Sequence, residues 1–211
     1  MPSDEQPFAR IEHALKRAAA ALREAGIPFL LGGSLASWAR GGPETRHDLD
    51  LIIKPEYAEH ALETLREAGM RPERPPEDWL LKAWDGDTLV DLIYCPKGLA
   101  VDDALFARGE ELSVLGMDIR VMALEDVMAT KLLALSEHSL RYESLLQIAR
   151  ALREQIDWPA VRARTQESPF ARAFFVLLEG LGIVTEPVAS TRPQPRVRVV
   201  TPHGSTATQG G

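Results

Sequence analysis

The stretch that decides the fold is FLLGGSLASWARGGPETRHDLDLII, residues 29–53. Its first apolar run predicts a short strand that ends near Gly33, and a short helix is predicted from Ser34 onward. A glycine–serine turn before a helix offers unpaired backbone N–H groups at the positive end of the helix dipole. The turn therefore favours a phosphate-binding role, although a plain turn with a serine helix cap fits the same residues.

The second apolar run of this stretch carries two acids, Asp48 and Asp50. Because side chains alternate between the two faces of a strand, both carboxylates lie on one face, while Leu49 and Leu51 point into the core. Neighbouring carboxylates repel each other unless a cation lies between them, and their oxygens suit Mg²⁺ or Mn²⁺. The pattern predicts a divalent-metal site near the phosphate turn, with a solvated strand face as the alternative.

The Gly-Ser pair followed by Asp-x-Asp resembles the signature of the DNA polymerase β-type nucleotidyltransferase superfamily. The matching residues are Gly33, Ser34, Asp48 and Asp50. The resemblance implies a third carboxylate on a later strand, for which Asp91 in TLVDLIYC is the candidate. It further implies that the three aspartates bind Mg²⁺ (or Mn²⁺) and that Gly33 and Ser34 contact the nucleotide. An edge strand with Asp91 facing water is the alternative for that residue.

A lysine on a later helix adds to this resemblance. Lys131 falls on the apolar stripe of a predicted helix, where it must either reach solvent or meet an anion. The chain also resembles the AbiEii-like group, which includes the MenT-type toxins, and this implies that Lys131 is catalytic and binds the triphosphate. The group has a further acid after the lysine, and here Arg141 or Glu143 stands in that neighbourhood. Arg46, beside the acids, is expected to help hold the nucleotide.

Composition and charge limit the function classes. The chain has 211 residues, 45% of them hydrophobic, which is ample for a sizeable core. It contains no apolar run long enough for a transmembrane helix and no signal-peptide pattern, and its single cysteine fits a cytoplasmic protein. The net charge of −7 argues against a broad electrostatic grip on nucleic acid, so an RNA substrate is expected to dock at one end.

The order of predicted elements indicates an α+β fold, with a mixed sheet flanked by helices and a C-terminal helical bundle. Strands are predicted at residues 28–31, 48–53, 79–84, 88–94, 112–115 and 119–122. Helices are predicted at residues 8–22, 34–40, 55–68, 124–136, 140–154, 157–165 and 169–181, and a proline-marked loop at 72–76. The predicted division is a catalytic domain at 1–122, a helical bundle at 123–184 and a disordered tail at 185–211.

These features predict a metal-dependent enzyme that transfers a nucleoside monophosphate from an NTP to an acceptor hydroxyl. The resemblance favours the 3′ end of a tRNA as acceptor, in a toxin that is paired with a cognate antitoxin protein. A small-molecule (antibiotic) adenylyltransferase, a protein adenylyltransferase and a catalytically silent nucleotide-binding relative are the alternatives. The preferred NTP, the acceptor and the oligomeric state are left open.

Overall fold

The computed structural model describes residues 7–44 and 48–184. Arg46 and the predicted tail at 185–211 lie outside these residues. The described part contains seven strands: β1 (Phe29–Leu31), β2 (Leu49–Ile53), β3 (Arg71–Glu73), β4 (Leu80–Asp85), β5 (Thr88–Ile93), β6 (Glu110–Val114) and β7 (Met117–Val121). Its eight α-helices are α1 (Pro7–Glu24), α2 (Gly33–Trp38), α3 (Ala58–Glu67), α4 (Asp103–Arg108), α5 (Leu124–Leu133), α6 (Tyr142–Leu152), α7 (Trp158–Thr165) and α8 (Pro169–Gly180).

The seven strands form one mixed sheet in the order β3-β4-β5-β2-β1-β7-β6. β2 pairs with β1 in the antiparallel direction and with β5 in the parallel direction, and β1 runs parallel to β7. The remaining neighbours pair in the antiparallel direction, and the turns at Gly86 and Gly116 join β4 to β5 and β6 to β7. This arrangement confirms the predicted mixed α+β fold and places β2, with its acids, in the middle of the sheet.

The helices form where apolar spacing and end signals agree. α1 buries Leu15, Ala18 and Leu22 along one face, which is the periodicity that predicts it. The Asp157 side chain accepts a hydrogen bond from the Ala160 N–H, as expected for a helix N-cap. Among the described residues, no helix is long and apolar enough to cross a membrane.

Two elements differ from the sequence prediction. The proline-marked loop contains β3, and Pro72 lies inside this strand. Since β3 is the edge of the sheet and pairs only with β4, a proline that cannot donate a hydrogen bond is tolerated there. The short helix α4 was not predicted, although Asp102 caps it by accepting from the Leu105 N–H over 2.9 Å.

The core consists of two hydrophobic clusters that meet at α5. One cluster contains the buried side chains of the sheet, of α1 and of α3, together with Val127. The other is formed by the helices after the sheet and includes Leu124, Met128 and Leu132 of α5. α5 is therefore packed on both sides, which fixes the direction of its remaining side chains.

A buried charge cluster also joins the two parts. Asp126 on α5 is fully buried and accepts two hydrogen bonds from Arg108 of α4, at 2.9 and 3.0 Å. Arg164 of α7 donates a third to the same carboxylate, over 2.6 Å. A buried carboxylate with two guanidinium partners is well compensated, so this cluster holds α4, α5 and α7 in register.

Candidate active site

Three charged side chains lie side by side across the middle of the sheet. Asp50 on β2 is the register partner of Asp91 on β5, and Asp91 is the register partner of Lys82 on β4. Side chains of residues that are directly paired across strands share a face. The strands thus place two acids and one lysine abreast, which we call the acid row.

Asp50 is the innermost acid of this row. Its side chain is partly buried, and this burial raises its pKa from the ordinary value of 3.8 to about 6. The charges of Asp91 and Asp48 act in the same direction, whereas Lys131 and the Ser34 backbone N–H favour the ionised form. A cation nearby would stabilise the ionised form of such a carboxyl group and lower its raised pKa.

Gly33 is required by its closeness to Asp50. Its φ is +56°, a left-handed conformation, and a Cβ atom at this position would lie 1.6 Å from Asp50 Oδ2. The absent side chain lets the acid reach the first turn of α2. There the Ser34 N–H that the sequence assigned to phosphate donates to the Asp50 carboxylate. The glycine turn and the acids therefore form one continuous site.

Lys131 reaches this site from α5. Its Nζ donates a hydrogen bond to Ser34 Oγ over 3.1 Å, and its charge acts on Asp50. The side chain is partly buried, and its helix neighbours Met128 and Leu132 belong to the helical cluster. Of the two predicted directions, the lysine takes the one towards an anion rather than towards open solvent.

Asp91 is the outer acid of the row. Burial raises its pKa, the charges of Asp48 and Glu73 add to this effect, and Lys82 opposes it. Its Oδ1 atom is buried and has no hydrogen-bond partner among the described residues, although Lys82 Nζ lies 3.4 Å away. A buried carboxylate oxygen without a directed hydrogen bond is unsatisfied, so it gains from a cation that takes the place of the lysine.

The other predicted site residues lie farther out. Asp48 comes just before β2 and is exposed, although its charge acts on Asp50 and Asp91. Arg141 and Glu143 are both exposed at the start of α6, and the choice between them for the further position suggested by the resemblance stays a prediction.

Lys82 is the member of the acid row that the sequence interpretation missed. Asp85 pairs with Thr88, which leaves Gly86 and Asp87 as a two-residue turn between β4 and β5. Counting outward from that turn places Lys82 opposite Asp91. The predicted strands at 79–84 and 88–94 leave three residues between them and would place Val90 opposite Lys82, so the sequence prediction did not bring Lys82 to Asp91.

The donor set of the acid row fits a divalent cation of the hard, oxygen-binding class. Asp50 and Asp91 supply carboxylates on one face, and Asp91 Oδ1 lacks a partner. Within residues 7–44 and 48–184, however, no three His, Cys, Asp or Glu side chains stand close enough to hold an ion as they are placed. Any ion held here would thus require Asp48 to move inward or non-protein oxygens to complete its coordination.

The geometry agrees with what comparison with known proteins finds. The model of a family described as "Uncharacterised nucleotidyltransferase" matches residues 9–181, which is most of the chain. The chain belongs to this nucleotidyltransferase family. It is therefore an enzyme of the nucleotidyltransferase type, as the sequence predicted. No curated protein matches it.

Solved structures share the fold of this nucleotidyltransferase. The solution structure of the antibiotic-resistance factor ANT(2'')-Ia superposes with a TM-score of 0.57 at 18% identity, over 84% of this chain and 98% of that one. An antigenic nucleotidyltransferase-like protein from Paracoccidioides brasiliensis superposes with a TM-score of 0.51 at 14% identity, over 82% of this chain and 88% of that one. At such identities the likeness concerns the fold alone.

Proposed function

We propose that this nucleotidyltransferase transfers a nucleoside monophosphate from an NTP to a hydroxyl group of tRNA, in the presence of Mg²⁺ or Mn²⁺. The observation that carries the transfer chemistry is that Asp50 and Lys131 meet at the first turn of α2, with Asp91 beside Asp50 on the neighbouring strand. Acids for a metal and a lysine for a triphosphate are the two components that phosphoryl transfer needs.

The metal would be held by Asp50 and Asp91, with Asp48 as the third carboxylate. When bound, such an ion neutralises phosphate charge and lowers the pKa of an attacking hydroxyl. The raised pKa values of Asp50 and Asp91 and the Asp91 Oδ1 atom without a hydrogen bond support this assignment, because they mark carboxylates whose burial and mutual repulsion the neighbouring lysines offset only in part.

The protein's own residues have separate roles in the transfer. Lys131 and Ser34 bind the β- and γ-phosphates, with Gly33 allowing their close approach and Arg46 assigned to the same nucleotide. The acceptor oxygen attacks the α-phosphorus, the bond from that phosphorus to the bridging oxygen breaks, and pyrophosphate leaves. Asp91 accepts the proton of the acceptor hydroxyl, which places the acceptor on the β4 side of the acid row.

The proposal of tRNA as acceptor rests on the resemblance to the AbiEii-like toxins and on the arginines of the helical half. Arg153, Arg162 and Arg172 line a cavity of about 810 Å³ together with Trp158 and Phe175. Arginine and aromatic side chains are the groups that hold RNA backbones and bases. Arg162 already pairs with Glu179 and lies over the Phe175 ring, so only part of this charge is available to RNA.

In this function the enzyme acts in the cytoplasm, where NTPs and tRNA are present, and a cognate antitoxin protein restrains it. The deciding experiment incubates the purified protein with each α-labelled NTP, Mg²⁺ and total RNA. We expect label on the 3′ end of tRNA and its loss in the Asp50→Asn variant. Label on no RNA species, with all four NTPs and either metal, contradicts the tRNA assignment.

An antibiotic adenylyltransferase is the second candidate. It is supported by the fold shared with the antibiotic-resistance factor ANT(2'')-Ia over nearly all of that chain. The same labelled-NTP assay with an aminoglycoside in place of RNA separates the two functions, since both use the same acid row. Transfer to the antibiotic and not to tRNA identifies this second function, and labelled protein identifies the protein-modifying alternative.

A further inference from the structure

We propose that Lys82 holds the place of a divalent cation beside Asp91 in the metal-free protein and moves away when the ion binds. This inference rests on the metal-dependent function proposed above. It gives Lys82 a positioning role, since the lysine acts through Asp91.

Lys82 and Asp91 are in close contact in the sheet. Lys82 and Asp91 are direct partners on neighbouring strands, and Lys82 Nζ lies 3.4 Å from Asp91 Oδ1. The two side chains are only 22% and 14% exposed. Oδ1 nevertheless receives no directed hydrogen bond. The ammonium group therefore acts on this oxygen mainly through its charge, and its displacement breaks no well-aligned hydrogen bond at Oδ1, as expected of a replaceable cation.

An alternative partner for the lysine lies on the next strand. Glu73 on β3 is the register partner of Lys82 on the side away from Asp91. Its carboxylate accepts a hydrogen bond from Trp84 Nε1 over 2.7 Å and lies 3.8 Å from an Arg71 nitrogen, so its position is fixed. Glu73 is more exposed than Asp91, at 41%. A lysine released from Asp91 finds a second anion on the next strand.

The two carboxylates of the acid row need positive charge nearby when no metal is bound. Without a cation, Asp50 and Asp91 repel each other, and Lys131 compensates only the inner acid. Lys82 compensates the outer one, so the fold tolerates the pair while no metal is bound. The same contact competes with the ion for Asp91 and so lowers the affinity of the site for metal.

The experiment measures Mn²⁺ binding by the electron paramagnetic resonance signal of the free ion. It compares the parent protein with Lys82→Met, Lys82→Arg and Lys54→Met. Lys54 is the matched control because it also pairs with an aspartate, Asp103, but outside the acid row. We expect Lys82→Met to bind Mn²⁺ about tenfold more tightly, the effect of removing one partly screened competing charge. The Lys82→Arg and Lys54→Met variants should match the parent.

A second measurement follows the lysine directly. Acetylation of lysines in the parent protein, quantified by mass spectrometry, should become faster at Lys82 when Mn²⁺ is added and stay constant at Lys54. Equal Mn²⁺ affinity in Lys82→Met and parent, where Asp50→Asn binds weakly, overturns the Lys82 proposal alone. Absence of Mn²⁺ binding by every protein overturns the metal-dependent function as well.

Discussion

Lys131 Nζ and Ser34 Oγ are joined by a hydrogen bond of 3.1 Å, which links α5 to the first turn of α2. The two residues are far apart in the sequence, and their contact brings a cation from the helical half to the acid row. In the proposed function, a triphosphate would take over part of this contact.

The first prediction concerns Lys131. Replacing it by Ala removes a charged hydrogen-bond donor to phosphate, so kcat/KM for the NTP should fall about 10- to 100-fold. The measurement is steady-state transfer at several NTP concentrations. Lys97→Ala, a change of an exposed lysine on the loop after β5, is the control and should behave as the parent does. Unchanged NTP dependence in Lys131→Ala would exclude a phosphate contact.

The second prediction concerns Asp50 and pH. Asp50→Asn should lower transfer roughly a thousandfold, given the several kcal/mol that a catalytic metal supplies. Without metal the same change should stabilise the protein at neutral pH. Because the pKa of Asp50 is raised to about 6 in the folded state, the parent loses stability as pH rises from about 4 to about 6, by about 3 kcal/mol. Urea unfolding in EDTA at pH 4 and pH 7 checks this, and an equal advantage of the variant at both pH values contradicts it.

The third prediction uses two glycines with similar backbones. Gly33 and Gly86 have φ of +56° and +60°, so Ala at either position costs about 1–2 kcal/mol of backbone strain. Only at Gly33 would the new Cβ collide with Asp50 Oδ2; at Gly86 no atom lies within 4 Å. Gly33→Ala should therefore abolish transfer, whereas Gly86→Ala should keep it. Melting temperatures and transfer rates of both variants decide the matter. Full activity in Gly33→Ala would mean that Asp50 need not approach this turn.

The fourth prediction concerns the buried charge cluster. Asp126→Ala leaves Arg108 and Arg164 without their shared carboxylate, and should lower the free energy of unfolding by about 3–5 kcal/mol. Glu63→Ala removes an exposed pair with Arg66 and should lower the free energy of unfolding far less, because solvent screens this pair. Urea denaturation of both variants provides the comparison. Equal losses in the two variants would show that the buried cluster contributes no more than a surface pair.

The fifth prediction concerns the acceptor. Arg150 near the end of α6 and Arg153 just after it are exposed on one face, where their positive charges can bind RNA phosphates. Reversal of both to Glu should therefore abolish transfer to tRNA and leave NTP binding intact. Arg153 also contacts Glu154 over 2.8 Å, which is the competing structural role. The control reverses the exposed Arg10 and Arg66, giving the same change in net charge. Parent-like tRNA transfer by the Arg150/Arg153 variant would place the acceptor elsewhere.

Much of the fold could be predicted because the information is local. The alternation in β2, the helical spacing in α1 and the glycine of the hairpin at Gly86 each depend on a few neighbouring residues. β3 could not be predicted in this way, since Pro72 argues against a strand until the edge position is known. The proposed boundary between residues 122 and 123 precedes α5, which packs into both hydrophobic clusters.

The site was accessible to sequence reasoning only in part. The types and order of Gly33, Asp50 and Asp91 are visible in the sequence, but their distances depend on the parallel pairing of β2 with β5. The closeness of Asp50 Oδ2, which forbids a side chain at Gly33, also arises only in the folded structure. The position of Lys82 depends on the length of the hairpin turn, because the predicted strand ends at 84 and 88 pair it with Val90, whereas the observed two-residue turn pairs it with Asp91.

The parallel pairing of β2 with β5 also has a consequence for biosynthesis. The ribosome makes the glycine turn and Asp50 early, but Asp91 and Lys131 follow 41 and 81 residues after Asp50 in the numbering. Contacts between such distant segments form only after the intervening chain has been made and has docked. A growing chain therefore cannot bring Lys131 to the acid row until α5 has left the ribosome. For an enzyme proposed to act on tRNA, this order keeps the unfinished polypeptide inert while the translation machinery is still producing it.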